Sequence, residues 1–505
     1  MSKKVILVYT ELGFAGSYVV HPPISLVYIS TKIVLIPDLE IEILDCRIQK
    51  DWKEILQNRI QEEDILLVGF FVMSGLQVFK AYEVSDCIKG MDIDIPIVWG
   101  GPHPTILPEE VLNYDVVDYC VRGFGTDAFT ELVKNLLSNS KNFENVPNLC
   151  YEKDNENHIG NINDAYEKIN YKDLPYHLLD PIIESYYIGT KSRAFPIYTA
   201  FGCPYQCNFC ITPIWFENSN KKWDPLPAKE VVDHIEFLRN KWGVEFFYLW
   251  DDDSFVAPSH FSGIASELLE RKIDIQIGVR GIRANEVERM KPHDFKMLEK
   301  VGVSFLHIGV ENGSQRLLDL MEKGITVEQA YSANKKLAQY KNISPMYNML
   351  IGIPTETIEE LRETGLFMLH LSEENPNCII HPPNMLIPYP GGEAYNLAIK
   401  EGYVPPNSPE EWRDMDQEGE IDQPWYTKQT LRYIEMLRVA AYSLSNWSKV
   451  LKEYPLWLRI FASILTRAYR PIAKYRIRNY QTNFLFEHSA LIWIQSALKK
   501  ISRAS

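Results

Sequence analysis

Three cysteines fall within one short run, Gly202-Cys203-Pro204-Tyr205-Gln206-Cys207-Asn208-Phe209-Cys210. The C-x3-C-x2-C spacing offers three thiolates and no local fourth. A cubane iron–sulfur cluster has four iron corners, usually held by Cys thiolates. Three protein ligands leave one iron open, and an open iron can hold a substrate-like ligand. Structural zinc, by contrast, is closed by four Cys or His ligands. Here the nearest later candidate, His234, lies in an amphipathic helical pattern, and no second C-x2-C follows. With eight cysteines in 505 residues, three in one loop are not what chance supplies. The spacing points to a cluster that takes part in chemistry.

At these residues the chain resembles the radical S-adenosylmethionine (SAM) superfamily, whose signature is a C-x3-C-x-aromatic-C run with Phe209 at the aromatic position. The resemblance implies that Cys203, Cys207 and Cys210 hold a 4Fe–4S cluster and that its open iron chelates the amino and carboxylate groups of SAM. One electron from the reduced cluster then cleaves SAM to methionine and a 5′-deoxyadenosyl radical. Phe209 is placed beside SAM on the same ground.

Apolar content of 46% with 24% charged residues is that of a soluble globular chain, long enough for two or three domains. Met1-Ser2-Lys3-Lys4 leads directly into a strand-like run, so no signal peptide is expected, and Ile65–Phe79 is too short and too broken to span a membrane. The remaining cysteines (46, 87, 120, 150, 378) are scattered singly, as buried thiols of a reducing cytosol are. A cytoplasmic location follows from that reading. Net charge is −15, but residues 446–505 hold eleven Lys/Arg against two Glu, a basic tail of +9 on a body of −24. With Trp447, Tyr454, Trp457, Tyr469, Tyr475, Tyr480 and Trp493, the tail suits peripheral contact with an anionic membrane. A helical face packed on the acidic body is the slightly preferred alternative. The acidic whole speaks against nucleic acid.

Residues 1–138 alternate short apolar runs with helical patterns. Strands are expected at Val5–Tyr9, Ile41–Leu44, Ile65–Phe71 and Ile95–Trp99. Helices are expected at Pro23–Ile36, Trp52–Ile60, Leu76–Lys89 and Thr126–Leu137. This predicts a doubly wound, Rossmann-like α/β domain that binds its ligand at the strand carboxyl ends. There Ile95–Trp99 runs into Gly100-Gly101-Pro102-His103-Pro104-Thr105, and two glycines after a strand let backbone approach a bulky ligand. Together with His21-Pro22-Pro23, Val68-Gly69-Phe70 and Val121-Arg122-Gly123, this set resembles the cobalamin (B12)-binding domain that precedes many radical SAM cores. The resemblance assigns Ser74, Gly100, Gly101, Pro102, His103 and Gly123 to cobalamin. Two departures stand out. The family's Arg-Gly-Glu-Gly-Glu run is Arg122-Gly123-Phe124-Gly125-Thr126 here, and the D-x-H-x-x-G motif that gives cobalt a histidine is absent. The resemblance therefore implies a cobalamin whose lower face is free of a protein histidine.

Residues 139–190 read as a linker with a polar hairpin-like stretch around Tyr151–Ile162. From 191 to 390, βα units predict a partial (β/α)6 barrel of the TIM type. Val244–Trp250 ends in Asp251-Asp252-Asp253-Ser254, more carboxylates than a helix cap needs. By resemblance Asp251 or Asp252 meets the SAM ammonium. Arg280 ends a further strand, can grip a carboxylate at two points and is assigned to the SAM carboxylate, whereas Arg283 suits the surface equally well. Val310-Glu311-Asn312-Gly313-Ser314 resembles the family's Gly-x-Glu-Ser-Gly-Ser run and puts Glu311 on SAM. Residues 391–505 form a mainly helical C-terminal region with no recognisable chemistry.

The expected activity is that of a cobalamin-dependent radical SAM methyltransferase acting on a small-molecule or lipid-like substrate, reduced by a donor such as ferredoxin or flavodoxin. An oxidative cyclase acting on a tetrapyrrole or lipid keeps both cofactors and remains open, and a non-catalytic SAM or B12 sensor is the third reading.

Overall fold

Runs of Val, Ile, Leu and Phe become strands buried on both faces, as a parallel sheet flanked by helices requires. The structure is a computed structural model that describes residues 2–12, 21–91, 93–140, 142–144, 146–162, 170–188, 192–216, 221–415, 423–447 and 456–482. Its first sheet contains β1 (Lys3–Tyr9), β2 (Leu39–Asp45), β3 (Ile65–Phe71), β4 (Ile97–Gly100), β5 (Tyr119–Val121), β6 (Leu149–Lys153) and β7 (Glu156–His158), in the order β2-β1-β3-β4-β5-β6-β7. The first five strands are parallel, and their 2-1-3-4-5 order is that of a doubly wound domain, with its ligand crevice beyond the carboxyl ends near β1 and β3. β6 and β7 are an antiparallel hairpin on the sheet edge. The hairpin foreseen within the linker is thus continuous with the N-terminal sheet.

The helices Leu76–Lys89 and Thr126–Leu137 lie where the hydrophobic period puts them. The expected single helix Pro23–Ile36 is instead a helix over Ile24–Ile29 and a 3₁₀ turn over Ile33–Leu35. Between them the Ser30 and Thr31 hydroxyls donate back to the carbonyls of Leu26 and Tyr28 at 2.7 Å, competing with the helical ladder.

The second sheet carries β8 (Ala194–Ile197), β11 (Phe246–Leu249), β12 (Gln276–Arg283), β13 (Val303–Glu311), β14 (Ser344–Ile351) and β15 (Ile379–Ile380). They are parallel and ordered β15-β14-β13-β12-β11-β8. β16 (Asn384–Met385) pairs with β14 as well, and the short hairpin of β9 (Ala200–Gly202) and β10 (Trp223–Pro225) brackets the cysteine run. Six parallel strands with helices outside them form the expected open barrel, and β8 and β15 are its unpaired edges among the described residues.

In the C-terminal region, helices Lys428–Leu444 and Leu456–Asn479 pack on the barrel helix Ile358–Glu374. The short helix Pro409–Arg413 crosses to the first domain and packs on Leu76–Lys89. Its Trp412 is fully buried and donates to Glu110 at 2.6 Å. No helix among the described residues is long and apolar enough to cross a membrane.

Candidate functional site

The cysteine run leaves β9 at Gly202 and ends in the helical turn Thr212–Trp215. Cys207 is buried, and Cys203 and Cys210 are half-buried. Burial pushes the Cys203 thiol up to about 12 and raises that of Cys210. The run is anchored from outside: the Asn208 N–H and side-chain amide donate to the carbonyls of Met321 and Leu320, at 3.2 and 2.8 Å. Arg283 lies beside Cys207, its Nη1 3.4 Å from Sγ and its guanidinium 3.7 Å from the Tyr205 ring centre. Its other amino group donates to the Lys323 carbonyl. A surface position for Arg283 is thereby ruled out, since only 5% of it is exposed.

The acidic strand end divides its labour, because successive residues of an extended chain face opposite ways. Asp251 accepts from Thr199 N–H (2.6 Å), Ala200 N–H (3.0 Å), Thr199 Oγ1 (2.5 Å) and Ser254 Oγ (2.8 Å). Four donors use a carboxylate's full capacity. Asp251 is therefore a brace between β11 and the end of β8, a correction to its expected contact with SAM. Burial pushes its carboxyl up to about 6 despite these bonds. Asp252 accepts only two, from Gly202 N–H at 3.1 Å and Thr212 Oγ1 at 3.0 Å, one at each end of the cysteine run. Asp253 accepts from Phe255 N–H at 3.0 Å, the turn-capping role.

Glu311 stands at the end of β13 with φ +58°, a left-handed backbone that a non-glycine residue holds only under constraint. Lys323 Nζ donates to it at 2.7 Å and sits 5.8 Å from the Phe209 ring centre. Burial opposes the Lys323 charge, yet its pKa is raised, first by Glu311 and then by Cys207. Phe209 and Glu311 are thus brought together, and Lys323 is the partner that sequence reading missed. Glu356 was missed as well. It accepts from Gly352 N–H (2.7 Å), Tyr426 OH (2.8 Å) and Asn312 Nδ2 (3.1 Å), tying the turns after β13 and β14 to the C-terminal region.

Burial pushes the Glu356 carboxyl up from 4.5 to about 7. The folded chain therefore holds a proton that the unfolded chain releases first. The resulting stability is fully present below 4.5 and is lost as pH rises to about 7. Glu356→Gln is expected to flatten the fall of the cluster-free chain's thermal midpoint across this window, and an unchanged slope would contradict the assignment.

At the domain boundary, beside the helical turn that ends the cysteine run, is a cavity of about 420 Å³. One wall comes from the first domain, where Gly69, Gly100, Gly101, Gly123 and Gly125 alternate with apolar side chains such as Leu26, Tyr28, Ile29 and Phe70. The other comes from the barrel: Tyr198, Phe201, Thr212, Trp215, Trp250 and Asp252. Gly101 has φ +106°, and a Cβ there would lie 2.9 Å from the Val72 carbonyl oxygen. Phe124, which replaces a carboxylate of the B12 pattern, meets the rings of Trp215 and Phe216 edge-on at 5.8 and 5.3 Å. The change thus joins the two walls through aromatic contact. His103 and Ser74 do not line this cavity. His103 is fully buried, meets Trp412 edge-on at 4.9 Å, and shares a hydrogen bond with Ser74 Oγ at 3.0 Å, so the pair anchors the Gly100-Gly101 turn from behind.

Comparison with known proteins agrees with this geometry. A model of the radical SAM superfamily matches residues 197–368, and a model of the B12 binding domain matches residues 13–133. The chain carries a radical SAM domain. Its B12-binding domain precedes the radical SAM core. An uncharacterized methyltransferase of Pyrococcus horikoshii is 24% identical over 403 residues, 78% of this chain and 83% of that protein. The anaerobic magnesium-protoporphyrin IX monomethyl ester cyclase of Rubrivivax gelatinosus is 28% identical over 316 residues, covering 61% of this chain and 54% of the cyclase. Among solved structures, the cobalamin-dependent radical SAM enzyme OxsB aligns with 98% of this chain and 75% of its own at TM-score 0.69 and 17% identity. The radical SAM methyltransferase TsrM of Kitasatospora setae aligns with 79% of this chain and 77% of its own at TM-score 0.61 and 19% identity.

The cofactors of such a chain are a 4Fe–4S cluster, SAM and cobalamin. The donor set fits the cluster: three thiols on one loop, with a buried guanidinium and ammonium beside them to offset an anionic cluster. Among the described residues no three Cys, His, Asp or Glu side chains converge as a single ion requires. A cubane, whose ligands sit on separate irons, does not need that convergence. The glycines fit cobalamin, because they bring first-domain backbone to the edge of the cavity, the close approach that a bulky ligand needs.

Proposed function

We propose that this chain is a cobalamin-dependent radical SAM methyltransferase that moves a methyl group from SAM, by way of cobalamin, to carbon of a small molecule. The observation that carries this reading is a cavity shared by the glycine turns of the B12-binding domain on one side and, on the other, by Thr212 at the end of the cysteine run and Asp252, which accepts from it. Bound across it, the cluster supplies the electron that opens SAM and cobalamin supplies the methyl carrier. The chain's own work is to hold and orient. Cys203, Cys207 and Cys210 are the cluster ligands. Asp252, which has spare acceptor capacity, takes the SAM ammonium, and Glu311 accepts from SAM hydroxyls or its amino group while Lys323 fixes its carboxylate. Aromatic side chains on the barrel wall exclude water from the gap. A ferredoxin- or flavodoxin-like donor supplies the electron. The cyclase relative is covered over 54% of its length, against 83% for the methyltransferase relative, which favours methyl transfer. Anaerobic incubation with reductant and SAM tests the reading: methyl transfer yields S-adenosylhomocysteine as well as 5′-deoxyadenosine, whereas cyclisation yields only the latter.

The reading extends to a membrane surface through the helix Leu456–Asn479. Trp457, Ile460, Phe461 and Ile464 follow the i, i+3, i+4, i+7 spacing of one helical face and are 48–61% exposed. Arg459 lies within these two turns and Arg467 in the next, whereas Lys474 and Arg478 are taken up by Glu373. An apolar stripe flanked by arginines suits the interface of an anionic bilayer. Replacing all four apolar residues by serine is expected to cut binding to phosphatidylglycerol vesicles at least about ten-fold, given the apolar area removed. Equal co-sedimentation of both proteins would contradict the extension.

A further inference from the structure

The barrel interior holds a cation that the cofactor site does not use. Arg280, on β12, lies with its guanidinium 5.1 Å from the Trp250 ring centre. Around the same space stand three imidazoles. His307 on β13 and His381 just after β15 stack at 5.6 Å. Because β14 lies between those strands, the two rings meet only across the concave face. His21 enters from the first domain, its ring edge-on to Tyr248 at 4.9 Å and Trp250 at 5.1 Å, its carbonyl held by Arg47 at 3.0 Å.

Arg280 is enclosed by protein and yet accessible, as a side chain facing an internal solvent space is. It has no ion pair or hydrogen bond among the described residues, and the groups acting on its charge are the phenols of Tyr198 and Tyr248, with no carboxylate among them. A guanidinium that faces an internal solvent space without a counter-ion keeps its donors free for an anion that a ligand brings. The neighbouring imidazoles are kept neutral, first by burial, with Arg280 adding to it (for His307 after His381), so each keeps one N–H to donate. His381 Nε2 and His21 Nδ1 are without partners. The SAM-side cations are elsewhere: Arg283 meets Cys207, and Lys323 meets Glu311.

We propose that Arg280, with His307 and His381, is an anion subsite that anchors a carboxylate or phosphate group of the substrate. The inference rests on the methyltransferase reading and adds to it the substrate class, a small molecule with a negatively charged end. The anchor also explains the position of Trp250, one ring that covers Arg280 and lines the cofactor cavity. A molecule held by its anionic end at Arg280 presents its carbon skeleton past Trp250 to the gap between the cofactors. This assignment replaces the expected contact of Arg280 with the SAM carboxylate.

The test is calorimetric titration of the cluster- and cobalamin-loaded full chain with inorganic phosphate and, separately, with succinate. Saturable binding of at least one is expected, and whichever binds identifies the anion. Arg280→Gln should weaken it at least about ten-fold and Arg280→Lys less, since lysine keeps the charge but not the two-point contact. Saturating SAM should leave the anion affinity unchanged. Three results would each overturn the proposal: no saturable binding by the native chain, equal affinity in the folded Gln and Lys variants, or displacement of the anion by SAM. Failure of the methyltransferase reading shows separately, as missing S-adenosylhomocysteine in an assay without added anion.

Discussion

Cys207→Ala is expected to yield a folded chain without bound iron, in which reductive cleavage of SAM falls by at least about three orders of magnitude, because the group that supplies the electron is lost. Cys207 is the most enclosed of the three thiols and the one that Arg283 faces at 3.4 Å. The loop itself is held by Asn208 on the 320–321 carbonyls and by Asp252 at both ends, none of which involves the Cys207 sulfur. Removal of one sulfur therefore takes away a ligand while the frame stays, and the thermal midpoint of the cluster-free protein should move little. Cys378→Ala is the control: that thiol is buried behind the helix Ile358–Glu374 and donates to Leu371 O at 3.8 Å. Retained iron in the Cys207 variant, or equal iron loss in the Cys378 variant, would mean that the ligand set is wrong.

Gly101→Ala is expected to weaken hydroxocobalamin binding on the order of 100-fold while iron content stays unchanged. A non-glycine residue at φ +106° is strained by about 1–3 kcal/mol before any contact is counted. The added methyl would also meet the Val72 carbonyl oxygen at 2.9 Å and its nitrogen at 3.1 Å, both backbone atoms that a rotamer change cannot relieve. The turn must shift, and with it the edge of the cavity that Gly100 and Gly101 line. Tight corrin binding by a folded Gly101→Ala chain would show that this wall does not hold cobalamin.

Features that live in local spacing were legible before the structure: the cysteine run, the strand Ile65–Phe71, and the helices Leu76–Lys89 and Thr126–Leu137. What depends on aim was not. Asp251 and Asp252 are neighbours of the same type, and only the register of β8 against β11 sends one into a fourfold brace and the other to the cysteine loop. Arg280 and Arg283 differ by three positions on a strand whose pairing with β13 shifts between Val279 and Ile282, so one faces the lumen and the other the cysteines. Lys323 and Glu356 were invisible for a different reason: their partners, Glu311, Gly352, Asn312 and Tyr426, come from separate turns, and no sequence period connects them. His103 has the opposite lesson. Its place after two glycines suggested ligand contact, but a fully buried ring against Trp412 is scaffold.

The central claim is that cobalamin and a SAM-cleaving cluster face one another across the cavity between the two domains and act on the same methyl group. The direct measurement is mass-spectrometric analysis of products from the reduced, cluster-loaded chain given SAM with a deuterated methyl group, with and without bound cobalamin. The expected products are S-adenosylhomocysteine in proportion to bound corrin, deuterated methyl recovered on the corrin, and 5′-deoxyadenosine formed alongside. S-adenosylhomocysteine formed without corrin, or 5′-deoxyadenosine as the sole product with corrin bound, would contradict it.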